Sequence, residues 1–511
     1  MDRDAEKEAR SSADASASAL TPTTSSGAPS DPYEVTLELA DDPAYAYPLW
    51  RRWLACIIVN AGAVCVTGAS AMAATAEIGV AQTFHVSTEV STLAVTLFVV
   101  GLGTGPILTG PVAEVVGQQA LYLTSFFLMF CFTWPVAFSH SIAVHMVFRF
   151  LQGFCGSAFL SIGGATVNSL FTNETVAVPM AAYTIATFVG PVLTPVFSGF
   201  IYEYAGWRWL YYVLIAWTFG ELVALLAVPE TVVSVILRRK AQKLRKATGD
   251  ERYYAAVERQ SSSILQALGQ ACKDIFALML FDRMALLLDI WLSLILGIVY
   301  LTLQAFPIIF GGKHGFTPAQ VGLSFLGVFV GLGVALASMA YWKRFRARVA
   351  AAHGGNPPPE VWLAMGKVGG VLIPISLYCL AFTTYRSVHW SGPIIAALPF
   401  GTGICFVYIS VFTYFVTAYR PMAAAALSGC AVMRTSFAAA FPLFANQMYA
   451  RMGTVGATAF LAGVMTLMAP LPFVFAKIGG RLRERSPYAT HCAREEQNTQ
   501  EKHAQEKQAH A

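Results

Sequence analysis

Charge is scarce in this chain. Asp, Glu, Lys and Arg make up 12% of its 511 residues, where a soluble domain carries roughly a quarter. With 56% of residues apolar, too little polar surface remains to face water, which excludes a soluble fold. A GxxxxGK(S/T) phosphate loop is absent, which argues against a pump driven by ATP. The glycine-rich run Gly101-Leu102-Gly103-Thr104-Gly105-Pro106 lies inside an apolar stretch and reads as helix packing. There is no HExxH pair, no GxSxG elbow and no nucleic-acid motif, so neither a hydrolase nor a nucleic-acid partner is indicated. The nine cysteines form no CxxC pair and have no histidine at ligand spacing. All except Cys272 and Cys492 sit in apolar runs and read as small packing residues, so no metal and no cofactor is expected. The amino terminus lacks a basic start followed by an apolar core, so the first apolar helix is expected to direct insertion itself.

What the chain has in abundance is apolar runs of about 20 residues, long enough to cross a hydrocarbon core of about 30 Å as helices. The predicted spans are 54–76, 90–110, 119–138, 144–171, 178–202, 209–228, 284–310, 319–341, 363–383, 392–415, 421–449 and 455–477. Residues 1–47 are rich in Ser, Ala, Thr, Asp and Glu with no apolar period and are expected to be a disordered cytosolic tail. The spans divide into a six-helix bundle over 48–228 and a second over 284–477, joined by a basic cytosolic linker at 229–283; residues 478–511 form a second cytosolic tail. From Arg238 to Gln270 the linker reads either as a helix lying on the membrane surface or as a solvated spacer.

Sidedness follows from Lys and Arg, which stay in the cytosol during insertion. With a cytosolic amino terminus, about twenty basic residues fall inside and about four outside, namely Arg208, Lys313, Arg386 and Arg451. Both termini are then cytosolic. Asn173-Glu174-Thr175 matches the glycosylation pattern but falls on the cytosolic side, so it is expected to be unmodified.

Several motifs carry a family resemblance. Gly110-Pro111-Val112-Ala113-Glu114-Val115-Val116-Gly117, after the second span, resembles the loop signature of the major facilitator superfamily. Gly190-Pro191-Val192-Leu193-Thr194-Pro195-Val196-Phe197-Ser198-Gly199, in the fifth, resembles its antiporter motif. Arg149-Phe150-Leu151-Gln152-Gly153, Gly206-Trp207-Arg208-Trp209, Pro229-Glu230-Thr231, Ala305-Phe306-Pro307 and Ala440-Phe441-Pro442 are similar to stretches of the fungal twelve-spanner drug:proton antiporters. The resemblance covers most of residues 50–485. It implies an all-α membrane protein with the major facilitator fold, twelve transmembrane helices in two six-helix bundles that rock about a midplane site. Glu114, Gly110, Pro111 and Gly117 would form a gating loop, and Gly190, Pro191, Pro195 and Gly199 a close helix contact with bends.

Two departures qualify that pattern. Where the family has paired arginines after Gly117, this chain has Gln118 and Gln119, so the cytosolic charge latch is weakened or rebuilt elsewhere. The acid that often precedes Ala-Phe-Pro is Gln304, which argues against polyamines as cargo.

Ionisable residues inside spans are costly and so mark function. Arg149 and Arg434 can each clamp a carboxylate or tie helices together through backbone carbonyls. Glu221 and Asp289 are candidate proton carriers, or carboxylates paired with a basic neighbour. Lys367, about one turn inside its span, is expected to snorkel. Glu77 and Glu89 flank the first external loop and are expected to be solvated. The family plan places the cavity between the first, fourth, seventh and tenth spans. It would be lined by Asn60, Thr67, Gln152, Tyr300, Gln304, Tyr408 and Thr413, although aromatic residues at such spacing also serve packing. Asn446 reads as interhelical glue.

The expectation is a secondary transporter, not an enzyme: a monomeric plasma-membrane antiporter that uses the proton gradient to export a small organic acid or secondary metabolite. Its partners are then a small-molecule substrate, protons and membrane lipid. An itaconate-like dicarboxylate is the leading substrate; a multidrug or glycolipid exporter is the alternative. Uptake, a transporter-like sensor and a passive channel are further rivals, and the vacuolar membrane is the second choice of location.

Overall fold

The computed structural model describes residues 33–35, 43–172, 175–255, 258, 264–352, 359–419 and 423–485. The chain begins its membrane passage with α1 (Leu49–Phe84), a 36-residue helix. At 1.5 Å per residue it is about 54 Å long and therefore extends beyond the hydrocarbon. After a tight turn at His85 come α2 (Thr88–Val116), α3 (Gln118–Ala137), α4 (Ile142–Leu170), α5 (Ala177–Ala205) and α6 (Trp207–Leu225). Two helices occupy the linker, α7 (Val233–Thr248) and α8 (Ile264–Phe281). The second half holds α9 (Arg283–Phe306), α10 (Pro318–Ala352), α11 (Leu363–Thr383), α12 (Ser391–Ala418), α13 (Ala423–Met468) and α14 (Leu471–Arg485).

Polar caps set the boundaries. Ser87 accepts from Val90 N to start α2, Asp282 accepts from Met284 N and Ala285 N to start α9, and Thr317 with Gln320 forms a capping box on α10. Past Phe306, α9 loosens into a π turn over Pro307–Gly311, where proline removes a backbone donor.

Among the described residues, ten stretches have the length and hydropathy of a spanning helix. The last, Ala425–Leu482, is 58 residues long and far exceeds one bilayer. It breaks at Gly453, whose φ of 69° and ψ of 169° are not helical. Dividing it there, and adding the aromatic-rich α6 that packs on α1 and α3, gives twelve, six on either side of the linker.

Within the first half α1 packs on α5 and α6, and α4 on α2 and α3; in the second, α9 packs on α13 and α12 on α10 and α11. The halves meet along two seams, α2 against α13 and α5 against α10. Small residues make the second seam. A Cβ on Gly199 would strike the Pro318 carbonyl, and one on Gly322 would strike the backbone of Pro195. The helix α5 runs unbroken through Pro191 and Pro195.

Near the linker, Tyr33–Val35 pairs in parallel with Tyr254: Val35 N donates to Tyr254 O (3.0 Å) and Tyr254 N to Tyr33 O (3.1 Å). Val35 and Ala255 bury against Ala241 of α7. Part of that amphipathic helix's apolar side therefore meets the chain's own amino-terminal segment.

Candidate functional site

Four ionisable side chains read from the sequence are buried. Arg149, on α4, is 0% exposed. It donates from Nε to Ala94 O (3.2 Å), from one terminal nitrogen to Ala69 O (3.2 Å) and from the other to Gln152 Oε1 (2.8 Å). Gln152 passes its own amide proton to Thr133 Oγ1 at 2.8 Å, and the Phe98 ring lies 4.3 Å from the guanidinium carbon. Arg149 thus ties α1, α2 and α4 through backbone carbonyls, the second of the two roles open to it.

Arg434, on α13, is held differently. Its Nε has no hydrogen-bond partner, and none of the ion pairs among the described residues includes it. The guanidinium stands over the Phe412 ring at 5.3 Å. Its charge acts on Tyr183 of the first half and on Asp289, Tyr300 and Tyr408 of the second. Tyr408 donates to Leu292 O (2.7 Å) and presents its edge to Phe188 of α5 (4.5 Å). The neighbourhood of Arg434 therefore spans both halves, with aromatic walls and a cation that has no ion-pair partner among the described residues.

Asp289, on α9, is 0% exposed. Neither of its oxygens has a hydrogen-bond partner; the Cys430 thiol lies nearby, one turn before Arg434. Glu221 is buried on α6, beside α1, where its charge reaches Cys65. It faces the interior of the first bundle and is not brought to Arg434.

The residue that sequence reasoning misplaced is Glu77. Expected to be solvated, it is 5% exposed, whereas Glu89 does face outward. The predicted first span stops at 76, but α1 continues to Phe84 and carries Glu77 inside. One carboxylate oxygen accepts from Thr92 Oγ1 of α2, the other from Gln304 Nε2 of α9 at 2.6 Å. Just below, Ser70 and Tyr300 share a hydrogen bond of 2.9 Å between α1 and α9. The spacing of Thr67, Ser70 and Glu77 along one helical stripe was the available signal. At the same end, Glu203 of α5 accepts from Ala319 N of α10 (3.0 Å), and Thr96 donates to Ala439 O (3.0 Å) across the α2–α13 seam.

The opposite end carries a rebuilt latch. Glu230 Oε1 accepts from the backbone N–H groups of Gln118 (3.0 Å), Thr231 (2.9 Å) and Val232 (3.1 Å). Gln118 Oε1 accepts from Thr166 (2.8 Å) and from Thr231. The position that replaces the family arginine thus joins α2, α3 and α4 to the Pro229-Glu230-Thr231 corner. Gly117, with φ of 104°, makes the turn between α2 and α3, and a side chain there would meet Glu230. The side chain of Glu114 and the Asn173-Glu174 pair lie outside the described residues.

Of the remaining expected liners, Thr67 is buried against Gly190 between α1 and α5 and donates to Ala63 O. Asn60 and Thr413 are half-buried on α1 and α12 and bond within their own helices. Lys367 lies half-buried over the Phe473 ring.

Residues 59–441 match the profile of the Major Facilitator Superfamily. The chain is similar to Efflux pump atB of Aspergillus terreus, with 41% identity over 395 residues, 76% of this chain and 83% of that one. It is also similar to the Probable drug/proton antiporter YHK8 of Saccharomyces cerevisiae, with 37% identity over 465 residues, 89% of this chain and 90% of that one. Among solved structures, the human organic anion transporter MFSD10 (TETRAN) superposes with a TM-score of 0.57 at 17% identity, covering 83% of this chain and all of that one.

Proposed function

Since this chain belongs to the major facilitator superfamily, we propose that it is a proton-coupled antiporter exporting a small organic acid or similar secondary metabolite. As a member of that family it is a multi-pass membrane transporter, not an enzyme. The observation that carries the substrate class is Arg434: a buried guanidinium facing both halves with no carboxylate in ion-pair distance among the described residues. A desolvated cation of that kind favours a carboxylate it can hold bidentately. Tyr300, Tyr408 and Phe412 would enclose the organic part, and an itaconate-like dicarboxylate would supply the carboxylate. The names of the two relatives, an efflux pump and a drug/proton antiporter, support the direction and the coupling ion.

Inter-half contacts of α1, α5 and α9 gather at the end where α1 reaches Phe84. By the distribution of Lys and Arg this end faces outward, so the outer side is closed and both termini are cytosolic. Substrate would then enter from the cytosol, contact Arg434, and leave after the halves rock about the α2–α13 and α5–α10 seams. Asp289 adds a constraint. Its negative charge opposes an anion on Arg434, so a proton on Asp289 and an anion on Arg434 favour each other's binding. That is the linkage of co-transport, not of exchange. Proton-coupled export of an anion therefore needs a carboxylate whose proton is tied to the gate, not to the cargo.

The similarity to a drug/proton antiporter favours a second reading, export of amphiphilic drugs or glycolipids through the same aromatic walls. Metabolite profiles of cells and medium with and without the gene separate the two. Loss of an extracellular carboxylic acid with its accumulation inside supports the first; an unchanged acid profile with lost resistance to amphiphiles supports the second.

A further inference from the structure

We infer that Glu77 is the proton-operated element of the outer gate: the gate closes when Glu77 takes a proton from outside and opens when that proton leaves to the cytosol. This rests on the proton-coupled reading above and supplies the coupling carboxylate that Asp289 cannot.

The surroundings of Glu77 offer no countercharge. It is 5% exposed, and none of the ion pairs among the described residues includes it. From α2 it faces the Thr92 hydroxyl, and the charged neighbour that acts on it is Glu89, of like sign. From α9 it faces the Gln304 amide, and no charged group of α5 or α6 is seen to act on it among the described residues. Burying a carboxylate anion without a countercharge is costly, whereas the protonated acid can be buried at the cost of an ordinary polar group. The partners accommodate the proton. Thr92 donates to one oxygen, and the Gln304 amide can turn so that its carbonyl accepts the acid proton on the other, because amide nitrogen and oxygen differ little in shape. Opening the outer side separates α1 from α9 and exposes Glu77 to water, where the ionised form is favoured.

The sign of coupling follows without reference to cargo. On the outward-open side, external acid protonates Glu77 and lets the latch with Gln304 close, which brings the site to face the cytosol. Release of that proton into the more alkaline cytosol, relayed past the Tyr300 and Ser70 hydroxyls that lie nearer the cytosolic side, leaves a buried anion, which drives the outer side open again with substrate aboard. One proton enters for each opening of the outer gate, which exports substrate when the site at Arg434 is occupied. Glu77 acts on the gate and not on the cargo, so it is a positioning residue.

The test places spin labels at the outer ends of the two halves, through Tyr204→Cys on α5 and Tyr385→Cys beyond α11, both exposed. Pulsed electron-spin distances are read in nanodiscs between pH 5.5 and 8.5, after subtraction of the parent protein's native cysteines. The expected result is a short distance at pH 5.5 and a growing longer population as pH rises. Glu77→Gln, a permanent mimic of the acid, should hold the short distance at both ends of the range. Gln304→Glu places two carboxyls together, and the pair binds its first proton more tightly. Its transition should move to higher pH by one unit or more. A Glu77→Gln protein that still opens with pH like its parent overturns the inference, as does a parent whose distances ignore pH. Export driven by an imposed pH gradient is measured on the parent in parallel. If that export is present while Glu77→Gln still responds, only the role of Glu77 falls; if it is absent, the antiport reading falls.

Discussion

Glu77 on α1 and Gln304 on α9 stand 2.6 Å apart and join the two halves of the protein at their closed end. In the antiporter pattern that the sequence resembles, an acid often stands at the position of this amide; here the carboxylate comes from the opposite half. Ser70 and Tyr300 repeat the crossing at 2.9 Å, without a charge.

That second crossing gives the first prediction. Tyr300→Phe removes one hydrogen bond worth about 0.5–1.5 kcal/mol from the closed side only. The outward-open population should rise about two- to twelvefold. Spin-label distances at a fixed acidic pH check this, and an unchanged distribution would show that the pair does not contribute to closure.

The two buried arginines should separate by assay. Replacing Arg149 with Met leaves the Ala94 and Ala69 carbonyls and Gln152 without their donor, a loss of about 1–3 kcal/mol for each buried group left unpaired. A lower melting temperature in detergent is expected. Arg434→Met, with few bonds to lose, should melt close to the parent. Its transport of an anionic substrate should fall by about tenfold or more, the loss of a charge-assisted bond worth about 1.5–3 kcal/mol. Fluorescence melting and vesicle flux on the same preparations measure both.

Asp289→Asn removes the charge that opposes an anion on Arg434. KM for the anionic substrate should fall several-fold, and export should still follow the pH gradient. Glu221→Gln, altered inside the first bundle, should likewise keep its response to the gradient. Initial-rate curves at two gradients decide; loss of the response in Asp289→Asn would return the proton to that residue.

At the other end, Glu230→Ala strips the acceptor from three backbone donors at 2.9–3.1 Å. The resulting loss of about 1–3 kcal/mol per buried unpaired group should lower the melting temperature. Glu230→Gln, which keeps an acceptor, should recover most of the loss. Thermal melts of the three proteins provide the comparison.

The fold was largely legible because hydrocarbon enforces long apolar runs with polar caps. The break between the last two spans was placed between 449 and 455, where Gly453 leaves the helix. Helix ends were less legible. Leu49–Phe84 and Pro318–Ala352 overrun the predicted spans because helices continue past the apolar region that hydropathy detects. That overrun is why Glu77 read as a loop residue. Pairing between distant helices leaves no period in the sequence, so the contact of Gln304 with Glu77 across the halves, and those of Gln118 with Thr166 and Thr231 within the first, became visible only in three dimensions. The sequence departures at Gln118 and Gln304 fall on side chains that make buried hydrogen bonds. Arg149 and Arg434 looked alike in sequence, and only the carbonyls around the first distinguish a tie from a free cation.

The central claim is that an inward proton movement drives an organic anion out. Inside-out membrane vesicles carrying the protein, loaded acidic and diluted into alkaline medium, present the cytosolic face to a labelled dicarboxylate such as itaconate. The account predicts uptake above equilibrium that collapses when a protonophore dissipates the gradient, and that Arg434→Ala abolishes. Uptake that merely equilibrates, indifferent to the protonophore, would contradict it.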